Sequence, residues 1–248
     1  MTLAAADCVA AIARHSSGFA ASARGNVDAR VEHCPDWSVA DLVSHLTEVH
    51  WFWSTIAEER PASLPDESQR PPRVADAALV DVFEAGAARL VAVLAAADQS
   101  APCWTWAPQQ QDVAFITRHQ VQEAAVHHWD VVHAAGGSLA IEPDVAVDAI
   151  AEFLVFSVAT EADAPARTKP SLGGAFAIRA TDVGAAWTVR DAGAPGTVLA
   201  SAGVDGGVPV IESTASELLL WLYGRVEVDT SRVDADVVAR FRALCFTD

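Results

Sequence analysis

Lysine is almost missing from this 248-residue chain: Lys169 is the only one, and 16 Lys+Arg stand against 33 Asp+Glu, a formal net charge of -17. A field of that sign repels a phosphate backbone, which argues against nucleic acid as a partner. Long apolar runs are lacking as well. The best of them, Leu90 to Ala97 and Ile150 to Ala159, are bounded or interrupted by Arg89, Asp98 or Glu152, well short of the roughly 20 residues a bilayer span needs. No membrane association is expected. The opening segment has Asp7 inside its apolar run and no Lys or Arg before Arg14, so a secretory leader is not expected and the cytoplasm is the default compartment. Cysteines are few. Cys8, Cys34, Cys103 and Cys245 are far apart with no C-x-x-C, which suits a reducing compartment and ordinary buried thiols rather than a disulfide framework or a nucleophile.

What is present is apolar and alanine-rich, at 52% hydrophobic residues, enough to build one large core or two ordinary ones and too much for a disordered chain. Residues 3–24, 38–60, 74–97 and 110–135 read as four helices, the second opened by Ser38 with Asp41 three residues on, a capping box. Proline-rich connections around 61–72 and 102–108 separate them, and Gly136 and Gly137 stop the fourth. This count and length predict an up-down four-helix bundle over 1–138. The remainder, 139–248, reads as a small α/β domain. A fifth helix runs from Pro143 to about Glu161, and Asp163 to Pro170 is a linker. Strands over 175–180, 186–190 and 197–202 form an antiparallel meander, a helix over 215–223 carries a Thr214/Glu217 capping box, and Val226 to Asp229 is a last strand before a helix over 234–246. The fold class is α+β.

Eight histidines in so acidic a chain direct attention to metal chemistry, since imidazole and carboxylate are the ligands of zinc and its neighbours. In the fourth helix Glu123 and His127 are four apart, hence about 40° apart around the axis and one turn along it, so both side chains can grip one ion. The same spacing also describes a solvated i,i+4 pair. Glu123 lies among Val121, Ala124 and Ala125, where an uncompensated carboxylate is costly and a cation offsets it. In the second helix His45 follows Leu42 and precedes Leu46, on or near the inward stripe. Asp130, three after His127, is placed to accept a hydrogen bond from a ligand, and His119 to line a pocket or lie on the surface. Arg118 falls about 140° from Glu123 and is expected to pair with bundle carboxylates. His50, His128 and His133 fall off the ligand face and are expected in solvent. The tryptophans Trp51, Trp53, Trp104, Trp106 and Trp129 supply core or pocket walls.

Taken together, Asp36-Trp-Ser-Val-Ala-Asp-Leu-Val-Ser-His45-Leu, Arg118, Gln122-Glu-Ala-Ala-Val-His127-His-Trp-Asp130 and the late Leu218-Leu-Leu-Trp-Leu-Tyr-Gly-Arg225 resemble the mycothiol-dependent maleylpyruvate isomerase family. The resemblance spans nearly the whole chain. It implies a DinB-like bundle with a smaller C-terminal α/β domain, and a divalent metal held by His45, Glu123 and His127. The residue before the glutamate, often His in such sequences, is Gln122 here, which touches the surroundings of the ligands and not the ligand set.

The ion expected is zinc, with nickel or iron as alternatives, and the cofactor is mycothiol or a similar low-molecular-weight thiol. Two imidazoles and one carboxylate leave Zn²⁺ an open position, where a thiol loses its proton. In the isomerase version the thiolate adds to a cis double bond, the new single bond rotates, and elimination returns the trans isomer with the thiol intact. Arg225 matches the family's late arginine and is expected to fork onto a substrate carboxylate; its other reading is a helix-end cation on nearby carbonyls. The resemblance leaves the substrate open, so an S-transferase, a metal-dependent hydrolase and a non-catalytic small-molecule-binding or resistance protein stand as alternatives. Substrate and thiol are the expected partners, on a monomer or homodimer.

Overall fold

In a computed structural model of the chain, residues 2–64, 66–159 and 170–246 are described. They divide into two units, Thr2–Ala140 and Ile141–Asp248. The first holds four long helices, α1 (Ala5–Ala23), α2 (Val39–Glu59), α3 (Asp76–Ala96) and α4 (Val113–Ala134). Helix α1 packs on α3 and α4, and α2 packs on the same two. Each helix places an apolar stripe inward at a period of three to four residues: Ile12, Phe19 and Ala23 from α1, Leu42, Val43 and Leu46 from α2, Phe83 and Leu90 from α3, Ile116 and Val131 from α4.

Two local features decide how the bundle closes. Helix α2 begins as expected at a reciprocal capping box, in which the Ser38 hydroxyl accepts from Asp41 N–H while the Asp41 carboxylate accepts from Ser38 N–H. Arg73 donates to the same carboxylate and thereby ties the start of α2 to the segment entering α3. Gly18 makes room for a side chain of α4: a Cβ there would lie 2.3 Å from the His128 ring, so glycine is what this position of the imidazole calls for. His128 is half-buried against His15, with Nδ1 atoms 3.1 Å apart, rather than solvated as its position off the ligand face suggested.

The second unit holds α5 (Pro143–Phe156), strands β1 (Ala175–Ala180), β2 (Ala186–Asp191), β3 (Val198–Ala202) and β4 (Val210–Ser213), and helices α6 (Ala215–Leu222) and α7 (Ala235–Leu244). The sheet order is β3-β2-β1-β4. The expected meander is present, β1 to β2 and β2 to β3 both antiparallel. The fourth strand departs from it: β4 lies parallel to β1, with Ile178 opposite Ile211. Val226 to Asp229 is not in the sheet, although its side chains alternate between half-buried and exposed. Alternation creates a two-faced segment, but a strand also needs a neighbour to pair with, and the equally long Val210–Ser213 takes the place beside β1. Helix α5 stops at Phe156, short of Glu161, and Val158 then bridges Cys245. The segment read as a linker lies outside the described residues except for Pro170.

Helix α6 carries the second capping box, Thr214 with Glu217. It ends in a Schellman motif: Gly224 has φ +72°, its N–H donates to Trp221 O at 2.9 Å, and Arg225 N–H donates to Leu220 O at 2.8 Å. Phe176, Trp221 and Phe241 stack at the centre of this unit, with ring centroids 5.1 and 6.0 Å apart. Among the described residues no helix is long and apolar enough to cross a membrane.

The Asp41 carboxyl is held down at about 2 by Arg73 and by the Ser38 hydroxyl and N–H. A depressed carboxyl stabilises the fold above its unfolded value and loses that contribution as pH falls through the folded one. Asp41→Asn is therefore expected to flatten the loss of stability between about pH 4 and pH 2, and Ser38→Ala to cost about 1 kcal/mol at neutral pH. Denaturant unfolding at stepped pH checks both; an unchanged acid slope in Asp41→Asn would remove that carboxylate from the explanation.

Candidate metal centre

The packing of α2 against α4 brings one residue of the former to two of the latter. His45, Glu123 and His127 each present a ligand atom within 4.8 Å of the others. The His45 and His127 rings meet edge to face at 5.3 Å, and Trp37 closes over the far side of His45 at 5.1 Å. On α4 the one-turn spacing brings His127 Nε2 to 3.4 Å from Glu123 Oε2.

Each donor is prepared differently. His127 Nδ1 donates to the buried Asp130 carboxylate at 2.9 Å, which fixes the ring's tautomer and turns the Nε2 lone pair toward Glu123, as metal-bound histidines usually require. His45 makes no hydrogen bond among the described residues, and burial, reinforced by His127, pushes it down to about 4. It is therefore neutral at pH 7, with its lone pairs available. Glu123 Oε2 is shielded from solvent and accepts no hydrogen bond. Burial pushes that carboxyl up, yet the surrounding imidazoles of His127, His119, His45 and His50 outweigh it and leave it below its ordinary value. A shielded carboxylate without a donor is costly. Two imidazole nitrogens and this oxygen converge, with no donor to the oxygen among the described residues, and that set fits a divalent cation of the zinc type.

Like His128, His50 lies elsewhere than the periodicity suggested, and His119 takes the buried one of its two expected places. His50 is not solvated but fully buried, stacked on Phe83 at 5.1 Å, with neither ring nitrogen hydrogen-bonded among the described residues. The signal was present in the sequence, because Val43, Leu46, His50 and Trp53 repeat at three and four residues and form an inward stripe of their own. His119 is only 5% exposed. It stacks on Phe115 at 5.3 Å, meets Trp106 edge-on at 5.2 Å, and its Nδ1 accepts from Gln122 Nε2 at 2.9 Å. Gln122, the departure from the resembling sequences, thus orients an imidazole that faces Glu123 electrostatically.

Arg225 belongs to the second unit, just beyond the glycine that ends α6. Its Nη1 donates to Tyr223 O at 2.8 Å and the guanidinium lies 6.0 Å from the Tyr223 ring centroid, the carbonyl-binding role of a helix-end cation. Among the described residues no cysteine is in a disulfide, and burial together with Asp112 pushes the Cys103 thiol up to about 11, the reverse of a nucleophile's activation.

A four-helix bundle carrying a buried His-Glu-His cluster, joined to a mixed-sheet α/β unit, defines the class. Residues 8–132 match the mycothiol maleylpyruvate isomerase N-terminal domain and residues 144–241 the C-terminal domain of the same family. The chain belongs to the mycothiol maleylpyruvate isomerase family. Among solved structures it is similar to a crystal structure of the mycothiol-dependent maleylpyruvate isomerase, at 12% identity over 95% of this chain and 98% of that one, with a TM-score of 0.62. A histidine-to-alanine mutant of that enzyme is similar to the same degree, at 11% identity, the same coverage and a TM-score of 0.62. At such identity the likeness carries the fold. No curated protein sequence matches.

The buried, unsatisfied His50 yields a pH-dependent expectation. Burial holds it down at about 4, so between there and the usual histidine value near 6.5 the unfolded chain binds a proton that the folded one refuses. Stability is full above that window and falls as pH drops through it. In metal-free protein, His50→Leu is expected to be more stable than wild type at pH 5, the advantage shrinking by pH 8; urea unfolding at both values measures it. A larger advantage at pH 8 would contradict the assignment.

Proposed function

We propose that the chain is a metal-dependent enzyme that works with mycothiol or a similar low-molecular-weight thiol, as an isomerase or S-transferase on a small electrophilic, carboxylated substrate such as maleylpyruvate. The observation that carries this reading is the convergence of His45, Glu123 and His127 within 4.8 Å around a shielded carboxylate oxygen that no hydrogen bond satisfies. Family membership supports the thiol.

His45, Glu123 and His127 would hold the ion, zinc first among the candidates and nickel or iron next. Bound there, a divalent ion supplies positive charge and an open position that lowers the pKa of an entering thiol into the neutral range. The chain's residues do the rest. Glu123 sets the net charge of the centre near +1. Asp130 keeps the proton of His127 on Nδ1 and the ring in place. His45, held neutral by burial, gives up no proton on binding at pH 7. Trp37 shields one side of that ring. Cys8 is buried and the Cys103 thiol is raised, and in this reading the sulfur nucleophile is the external thiol. Arg225 is the proposed clamp for a substrate carboxylate, through the planar fork of its guanidinium. Four cysteines without a disulfide among the described residues accord with a reducing, cytoplasmic setting.

Metal analysis and thiol dependence test the reading together. Protein purified without chelator is expected to lose the ion of this centre, about one per chain, in His45→Ala and in Glu123→Gln. Asp130→Asn should keep the ligands but weaken metal affinity by about 10- to 100-fold. Turnover of maleylpyruvate should require added thiol, and Arg225→Lys should raise KM more than it lowers kcat. Unchanged metal content in His45→Ala would sink the ligand set, and full turnover without thiol would point to a hydrolase with water in the open position.

A further inference from the structure

We infer that Glu32, His33 and His133 form a second divalent-cation site in the amino-terminal unit, suited to borderline transition ions such as Zn²⁺, Ni²⁺ or Cu²⁺. Each of the three offers one ligand atom, and these atoms lie within 4.8 Å of one another. None of them belongs to the His45, Glu123 and His127 cluster, so this inference stands apart from the reading above.

The cluster joins the connection between α1 and α2 to the last turn of α4. His133 Nε2 and Glu32 Oε2 are 2.8 Å apart, and the His33 ring lies 5.7 Å from that of His133. Both imidazoles rest on one indole: Trp129, 8% exposed, stacks on His133 at 4.7 Å and 10° and meets His33 at 5.6 Å. That slab limits the rotation of both rings.

The connection itself is held. Val31, next to Glu32, is buried in the bundle core, its N–H donates to Trp37 O at 3.0 Å, Trp37 N–H donates to Cys34 O at 3.0 Å, and Arg30 bridges Ser38. Much of the ordering entropy of gathering the donors is therefore already spent on folding. The hydrogen bond from His133, and then the proximity of His33, hold the Glu32 carboxyl below its ordinary value, so it is ionised at neutral pH.

A solvent-exposed His–Glu pair is the plain alternative. It needs only His133 and Glu32; the arrival of a second imidazole on the same indole is what a metal accounts for. Two nitrogens and one oxygen favour zinc, nickel and copper over magnesium or calcium, which prefer all-oxygen sites. Water completes the coordination of so exposed a site, and the negative charge of the whole chain draws cations toward it.

The test uses the full chain, stripped by chelator and dialysed, and titrated with Zn²⁺ against a colorimetric chelator. Glu32→Gln and His133→Ala are compared with their parents in the wild-type and His45→Ala backgrounds. In both backgrounds His133→Ala should lower zinc capacity by about one ion per chain, and Glu32→Gln should weaken that ion by at least about tenfold. The double background keeps the result separate from the buried centre. Cu²⁺ should also quench a fluorescence component that Trp129→Phe removes and His133→Ala makes insensitive. Because Glu32 is exposed, its variant reports on binding with the fold intact. Equal zinc capacity and affinity in all variants, or quenching that survives His133→Ala, would overturn the site.

Discussion

Glu123 sits on α4 with an oxygen shielded from water and, among the described residues, no hydrogen-bond donor to satisfy it; an anion in that position calls for positive charge or polarised N–H groups around it. Four imidazoles lie around it, two from α2 and two from its own helix. The arrangement requires α2 and α4 to be neighbours with a fixed rotation about their axes, since about 100° of error in either would turn its side chains into the core or into solvent. The capping box at Ser38, the Asp112 cap that starts α4 by accepting from Phe115 N–H at 3.0 Å, and the apolar stripes of the bundle all constrain that rotation. The packing of the amino-terminal unit and the chemistry of its centre are thus one constraint seen from two sides.

Several polar groups of the bundle act on the imidazoles around that carboxylate. Asp130 acts on His127 through a hydrogen bond, while Gln122 orients His119, which is walled by Phe115 and Trp106. His50 completes the ring from the opposite side against Phe83. Low dielectric among these aromatic and aliphatic walls strengthens each electrostatic term, and it keeps His45 and His50 neutral across the physiological range.

Much of this was legible beforehand, and the exceptions share a cause. Both capping boxes were visible as side-chain pairs at fixed offsets, because the chemistry that forms them is local. The three-residue cluster was legible in part: helical spacing puts Glu123 and His127 on one face, whereas the approach of His45 depends on how two helices pack. His50 and His128 were misjudged from their angle to the ligand face. A helix packed against two neighbours buries more than one stripe, and an angle measured from a single stripe misses the other. The parallel β4 escaped for the same reason. Four residues beside a proline carry little pattern, and their partner is set by the edge that β1 leaves open, whereas the better-patterned Val226 to Asp229 joins no strand of the sheet.

Gly18 shows how far shape overrides local preference in this bundle. Glycine in mid-helix gives up about 1 kcal/mol of intrinsic helicity relative to alanine, and here it stands in the middle of α1. The missing methyl lets the imidazole of His128 lie against bare backbone. At this point the contact between the first and fourth helices is shaped by an atom the chain does not have.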